Sequence, residues 1–180
     1  MPKQVDYDSR RRQIAEAVCL LADEHGPEGV SMRDVAARAQ VSLGAVQRCF
    51  RTKEEMLLFA VHHVGERVRA RLTADASLGQ VAEEVALLRD EHRAQARIWL
   101  AFVAQAAVKE PLAGPLRESY AALHELLVRL ATESGLADPP GEARALLALA
   151  DGLTTHVLIG HLSAEQAEAV LRTHVAGLGK

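Results

Sequence analysis

SMRDVAARAQVSLGAVQRCFRTK, residues Ser31 to Lys53, reads as two short helices joined by a tight turn, with a third helix opening directly behind. Ser31 is a good N-cap, and Asp34 stands three residues on as its acidic capping-box partner. Val35, Ala36 and Ala39 fall on one face of the first short helix. Gln40 and Val41 make the turn, and Ser42 caps the second short helix. Val46 and Phe50 form an i, i+4 pair that points inward. Thr52 and Glu55 form a Thr-x-x-Glu box that opens the next helix. Two capped helices around a tight turn are a helix-turn-helix, which places its second helix in the DNA major groove.

The surface of that second helix suits the task. With Val46 and Phe50 inside, Gln47 and Arg48 face outward. Arg can bond guanine O6 and N7, Gln can bond adenine N6 and N7, and a small side chain such as Ala45 can meet a thymine methyl. Ser42, Leu43 and the free N–H groups beside them can take a phosphate. Arg33 and Lys53 flank the unit as further phosphate partners. Gly44 costs the helix about 1 kcal/mol relative to Ala, which close approach of the backbone to DNA or tight packing on the first helix would explain.

The rest of the chain is helical in pattern. Of 180 residues, 49% are apolar and only 3% aromatic, so a large core of Leu, Val and Ala is available. The first helix is expected over about Ser9 to His25, with Ile14, Val18, Leu21 and Ala22 on one face and Gly26-Pro27 as its stop. A long fourth helix is expected from Lys53 to about Ala70, followed by a weak stretch at 73–77. Five more are expected over about 78–91, 93–109, 112–134, 142–161 and 164–176. Gly135 to Gly141 reads as a loop, and Ser163 as the last N-cap. The expectation is an all-α protein of about nine helices, with a head at 1–52 and a body at 53–180.

Charge separates the two parts. Residues 1–53 hold nine Lys/Arg against seven Asp/Glu, and residues 54–180 hold twelve against seventeen, which together give the net −3. A basic head on an acidic body suits a DNA reader whose larger part does something else. No apolar run is long enough for a membrane span, and the N-terminus has no apolar segment of the secretory type. Cys19 and Cys49 lack CxxC spacing and read as two reduced thiols of a cytoplasmic protein. Neither a nucleophile elbow, a zinc-protease helix nor a phosphate loop is present, and the eight His are scattered, so no enzyme, no metal and no cofactor is expected.

The segments VSMRDVAARA (30–39), VSLGAV (41–46) and Phe50-x-x-Lys53-x-x-Met56 closely resemble the TetR family of bacterial transcriptional regulators. The resemblance covers about the first 60 residues. It implies a three-helix DNA-binding head joined through the fourth helix to a ligand-binding and dimerisation body. It also implies a homodimer on a palindromic double-stranded operator, usually a repressor released by a small-molecule effector. Gln47 stands where the family usually has Tyr, and Cys49 where it usually has Tyr or His, aromatics that usually touch phosphates. The resemblance therefore implies a footprint that leans on Ser42, Arg48 and Lys53. Ile98 to Ala121, with EARALLALADGL and SAEQAEAVL behind it, resembles the C-terminal domain of the BetI-like branch.

The helix from Glu142 is apolar nearly all round, and the helix after it offers Ala167, Val170, Leu171 and Val175. Two such helices from each subunit would make a four-helix interface. Heads spaced roughly 34–36 Å apart would then meet successive major grooves. Candidate lining for an effector pocket is Trp99, Phe102, Gln105, Tyr120, His124, Asp151 and Thr155. A Trp and a Tyr beside a carboxylate can hold a cation. The competing reading is a ligand-independent structural DNA-binding dimer, which would have a closed body.

Overall fold

The computed structural model describes residues 2–72 and 75–178. Among these are nine α-helices: α1 (Pro2–His25), α2 (Met32–Arg38), α3 (Leu43–Cys49), α4 (Lys53–Arg71), α5 (Leu78–Val85), α6 (Arg93–Ala106), α7 (Glu110–Glu133), α8 (Pro139–Leu158) and α9 (Ala164–Gly177). Two short 3-10 turns, Pro27–Gly29 and Asp90–His92, complete the described elements, which include no strand. The weak stretch expected at 73–77 lies partly outside the described residues.

Local chemistry sets the head. The Ser31 hydroxyl accepts from the Asp34 N–H at 3.2 Å and donates to the Asp34 carboxylate at 2.5 Å. Asp34 therefore grips the cap's hydroxyl rather than its N–H. Ser42 accepts from the Ala45 N–H at 3.1 Å. Thr52 accepts from the Glu55 N–H, while the Glu55 carboxylate reaches back to the Arg51 N–H at 2.8 Å, one residue beyond the cap. Gln40 turns the chain with φ +53°, a left-handed conformation few non-glycine residues adopt. Ile14, Val18, Val35, Val46 and Phe50 are all fully buried. Arg38 closes the unit with two bonds to Glu24, at 2.9 and 2.7 Å, and Gln13 donates to the Ala39 carbonyl at 2.9 Å.

That core does not stop at residue 52. It runs through Met56, Ala60 and Val64 of α4 into Ile98 and Phe102 of α6 and Leu116 of α7. A second core joins α5, α7, α8 and α9 around Val81, Leu127, Leu146 and Leu171.

Several boundaries differ from expectation. α1 starts at Pro2 rather than near Ser9. α5 ends at Val85, because Leu87 takes φ +49° and breaks the helix before Glu91. α6 stops at Ala106, and α7 restarts at Glu110 with Pro115 inside it. α8 begins at Pro139, not after a loop ending at Gly141. Asp138 caps the Gly141 N–H at 3.1 Å, and the two prolines occupy first-turn positions whose missing N–H groups need no partner. α8 also stops earlier than expected, at Leu158. Gly160, at φ +74°, closes it with the His161 N–H on the His156 carbonyl at 2.9 Å.

Candidate nucleic-acid interface and body cavity

The outer face of the head is polar. Arg33, Ser42, Gln47 and Arg48 are exposed, and Leu43 and Gly44 are half-buried. A methyl placed on Gly44 would meet only the Arg48 guanidinium, at 3.6 Å, an ordinary contact. Packing on α1 therefore does not explain the glycine, which leaves the face open beside Arg48. Ala45 needs a correction. It is 7% exposed, on the side of α3 that carries Val46 and Cys49 into the core, so its methyl does not face a base. Cys49 is buried as well, and burial raises its thiol pKa. Lys53 is half-buried, and its ammonium donates to the Glu28 carbonyl at 2.8 Å. That bond ties the start of α4 to the turn after α1 and leaves Lys53 two further donors.

The body encloses a cavity of about 230 Å³ between α4, α6, α7 and α8. Its apolar wall includes Leu58, Val61, Val68, Phe102, Leu116 and Leu123. Trp99, Tyr120 and Asp151 form one polar corner of it. The Trp99 indole N–H donates to Asp151 at 3.4 Å, and the Tyr120 hydroxyl donates at 2.5 Å. The two rings meet edge-on, centres 5.4 Å apart. Burial pushes the Asp151 carboxyl above its ordinary range, against the pull of those two hydrogen bonds. Burial and the neighbouring carboxylate push the Tyr120 phenol well above its ordinary value.

Three expected lining residues lie elsewhere. Gln105 faces the head, where its amide donates to the Glu28 carboxylate at 3.2 Å. His124 turns to the start of α8, with Nε2 3.3 Å from the Pro140 carbonyl. Thr155 folds its hydroxyl back on the Asp151 carbonyl at 2.8 Å, as Thr commonly does within a helix. In each case the helix's rotation, not the residue type, sets the outcome. His62, Arg69 and Glu118 line the cavity without having been foreseen. The signal for the first two was available: Leu58, His62, Gly65 and Arg69 share a face of α4 at helical spacing.

α6 also ties the cavity to the head. It carries Trp99 and Phe102 in the cavity wall, and Arg97, which donates to the Asp23 carbonyl at the end of α1 at 2.7 Å. The described residues hold no cluster able to ligate a metal, and no helix among them is long and apolar enough to cross a membrane.

Residues 14–60 match the profile of the bacterial regulatory proteins of the tetR family, and residues 59–180 match that of the C-terminal domain of BetI-type transcriptional repressors. The HTH-type transcriptional regulator PksA of Bacillus subtilis (strain 168) is 32% identical over 99% of this chain and 94% of its own. A TetR-family transcriptional regulator from Rhodococcus sp. superposes with a TM-score of 0.83 at 25% identity, over 96% of this chain and all of the other. A transcriptional regulator from Saccharomonospora viridis, solved in complex with choline, shares the fold with a TM-score of 0.77 at 21% identity, over 96% of this chain and 100% of the other.

Proposed function

The chain belongs to the TetR family of bacterial regulatory proteins and is a transcriptional regulator rather than an enzyme, and from that premise we propose that it is a homodimeric, cytoplasmic repressor released by a small-molecule effector. The head at 1–52 reads DNA with Gln47 and Arg48 on base edges, and Arg33, Ser42, Leu43, Gly44 and Lys53 at the phosphates. The body at 53–180 binds effector and partner.

The partner surface is the outer side of α8 and α9. Ala148, Ile159, Ala169 and Val170 are exposed there, with Ile159 70% and Val170 45% exposed. Small and apolar side chains on two adjacent helices fit a four-helix contact with a second copy, and two heads per dimer fit a palindromic operator.

The observation that carries the effector reading is the corner at Asp151. A desolvated carboxylate held by two neutral donors has no ion-pair partner among the described residues, Arg69 lining the same cavity without bonding it, and Trp99 and Tyr120 put aromatic surface beside it. That chemistry suits a small cationic effector, and a fold relative has been solved with choline. The cavity also weighs against the ligand-independent dimer. Effector in the cavity presses on α4 and α6, both anchored to the head, and so changes head spacing.

Selection from a random duplex pool with the purified protein tests this reading. Enrichment of a palindrome that choline or another small quaternary amine releases is the expected result. Enrichment with no release by any cation would overturn the effector class. An enriched non-palindromic half-site would overturn the dimeric repressor. Arg48→Ala should reduce affinity for the enriched duplex about tenfold or more, in line with about 1–3 kcal/mol per bidentate base contact.

A further inference from the structure

α1 begins at Pro2, twelve residues before the family profile starts to match at Ile14. These first turns bring further groups to the C-terminal end of α3. The Tyr7 hydroxyl lies 3.5 Å from the Cys49 carbonyl, and its ring is 38% exposed. The Arg11 guanidinium sits over Phe59 at 4.2 Å and Phe50 at 4.8 Å, with the Tyr7 ring at 5.8 Å. Arg11 is thereby spent on holding α1 against the aromatic pair behind α3. Arg10, one residue away, stays more than a third exposed and bonds Asp6 at 3.1 and 3.2 Å. The charges of Arg10, Arg11 and Arg48 all act on Cys49.

The C-terminal end of a helix carries partial negative charge and repels phosphate unless cations stand beside it. α3 has Arg48 there, while Cys49 is buried and offers no hydroxyl. We propose that the first turns of α1 are part of the DNA interface: the Tyr7 hydroxyl, turning from the Cys49 carbonyl, and the Arg10 guanidinium take backbone phosphate at the C-terminal end of α3. Asp6 holds Arg10 in the free protein, and phosphate displaces it on binding. The proposal rests on the DNA-reading role of the head.

The test compares Arg10→Gln, Tyr7→Phe and Asp6→Asn with the wild type and Arg48→Gln, each as full-length protein on the duplex enriched by the wild type. Affinity is measured across a KCl series, with melting temperatures checked alongside. Each phosphate neutralised contributes about 0.9 to the slope of log K against log salt, so Arg10→Gln should flatten it by roughly two per dimer. Tyr7→Phe loses a neutral donor and should weaken binding several-fold at unchanged slope. Asp6→Asn removes a competing carboxylate and should tighten binding, a gain that misfolding cannot produce. If Arg48→Gln weakens binding while the three α1 variants match the wild type, the proposal is overturned and the head reading stands. If no duplex is enriched, the operator reading fails. The same proteins are then titrated on the unselected pool, where phosphate contacts still register and an unchanged slope overturns the proposal. A wild type that binds no duplex at low salt sinks both.

Discussion

Glu84 and Asp151 are both acids set inside the helical body, and the protein treats them in opposite ways. Glu84, 9% exposed, meets the Arg71 Nε at 2.5 Å and an Arg89 nitrogen at 3.1 Å. Arg71 in turn reaches the Gln95 amide oxygen at 3.4 Å, so the charges are shared and hydrogen-bonded. Asp151 is half-buried and, among the described residues, its carboxylate bonds only the neutral donors Trp99 and Tyr120. Taking a carboxylate out of water costs several kcal/mol unless a cation answers it. The Glu84 cluster has its cations and joins the end of α4 to α5 and the loop before α6. The Asp151 carboxylate is bonded by no cation among the described residues and opens on a cavity that Arg69 also lines. Compensated burial fastens helices together, and uncompensated burial beside empty space prepares a site.

The largest expected effect is at the compensated acid. Glu84→Gln leaves Arg71 without its carboxylate and Arg89 with only the exposed Glu91, 3.9 Å away. Removing one partner of a buried pair costs about 3–5 kcal/mol. Arg89 is half exposed, so water returns part of that, and a loss of roughly 2–3 kcal/mol in denaturant unfolding is expected. A loss below about 0.5 kcal/mol would break the comparison, because Glu84 would then be no more structural than a surface charge.

The two acids differ in legibility as well. Neither the Arg71–Glu84 nor the Glu84–Arg89 pair follows a spacing that a helix pattern reveals, because a turn and the left-handed Leu87 separate them. The Asp151 corner was legible as residue types, since Trp99, Tyr120 and Asp151 stand out in a body of Leu and Ala. Gln105, His124 and Thr155 stood out equally and lie elsewhere, because residue type does not say which way a helix is turned. The head was the most legible part. Its caps at Ser31, Ser42 and Thr52 act within three or four residues, and its core face repeats every third or fourth. Even there, burial of Ala45 and the start of α1 escaped. The methyl's direction depends on how α3 sits against α1, and the start signal at Pro2 stands ahead of a largely polar run, Lys3 to Asp8, that shows no clear apolar face.

A pH series separates the two environments by sign. His92 is buried beside the Glu84 cluster, and burial first, then Arg71, holds its pKa below the ordinary 6.5. The unfolded chain therefore takes up the proton first as pH falls below that value, and folding stability drops. The slope for one such group is at most about 1.4 kcal/mol per pH unit. His63, buried between α1 and α4, adds a second contribution of the same sign. His92→Gln should flatten the acid limb of the stability curve relative to wild type and leave the His63 part. An unchanged limb would place the acid sensitivity outside the Glu84 cluster.

Asp151 titrates the other way. Its pKa is raised in the folded state, so the native protein holds its proton longer, and stability is lost as pH rises from the ordinary value near 3.8. At neutral pH the ionised acid is thus a liability to the empty protein. Asp151→Asn removes that liability: its amide oxygen can accept from Trp99 in place of Oδ1, while its NH2, in place of Oδ2, can donate to the Tyr120 oxygen. The variant should match or slightly exceed the wild type in stability at pH 7, within about 1 kcal/mol, and lose the decline above pH 4. The same substitution should abolish any rise in melting temperature that a bound cation produces, because the cation's counter-charge is gone. A variant that is both clearly destabilised and still stabilised by cations would mean that Asp151 is a packing residue like Glu84. An uncharged variant that folds as well and no longer responds would leave binding as the remaining reason for a carboxylate there.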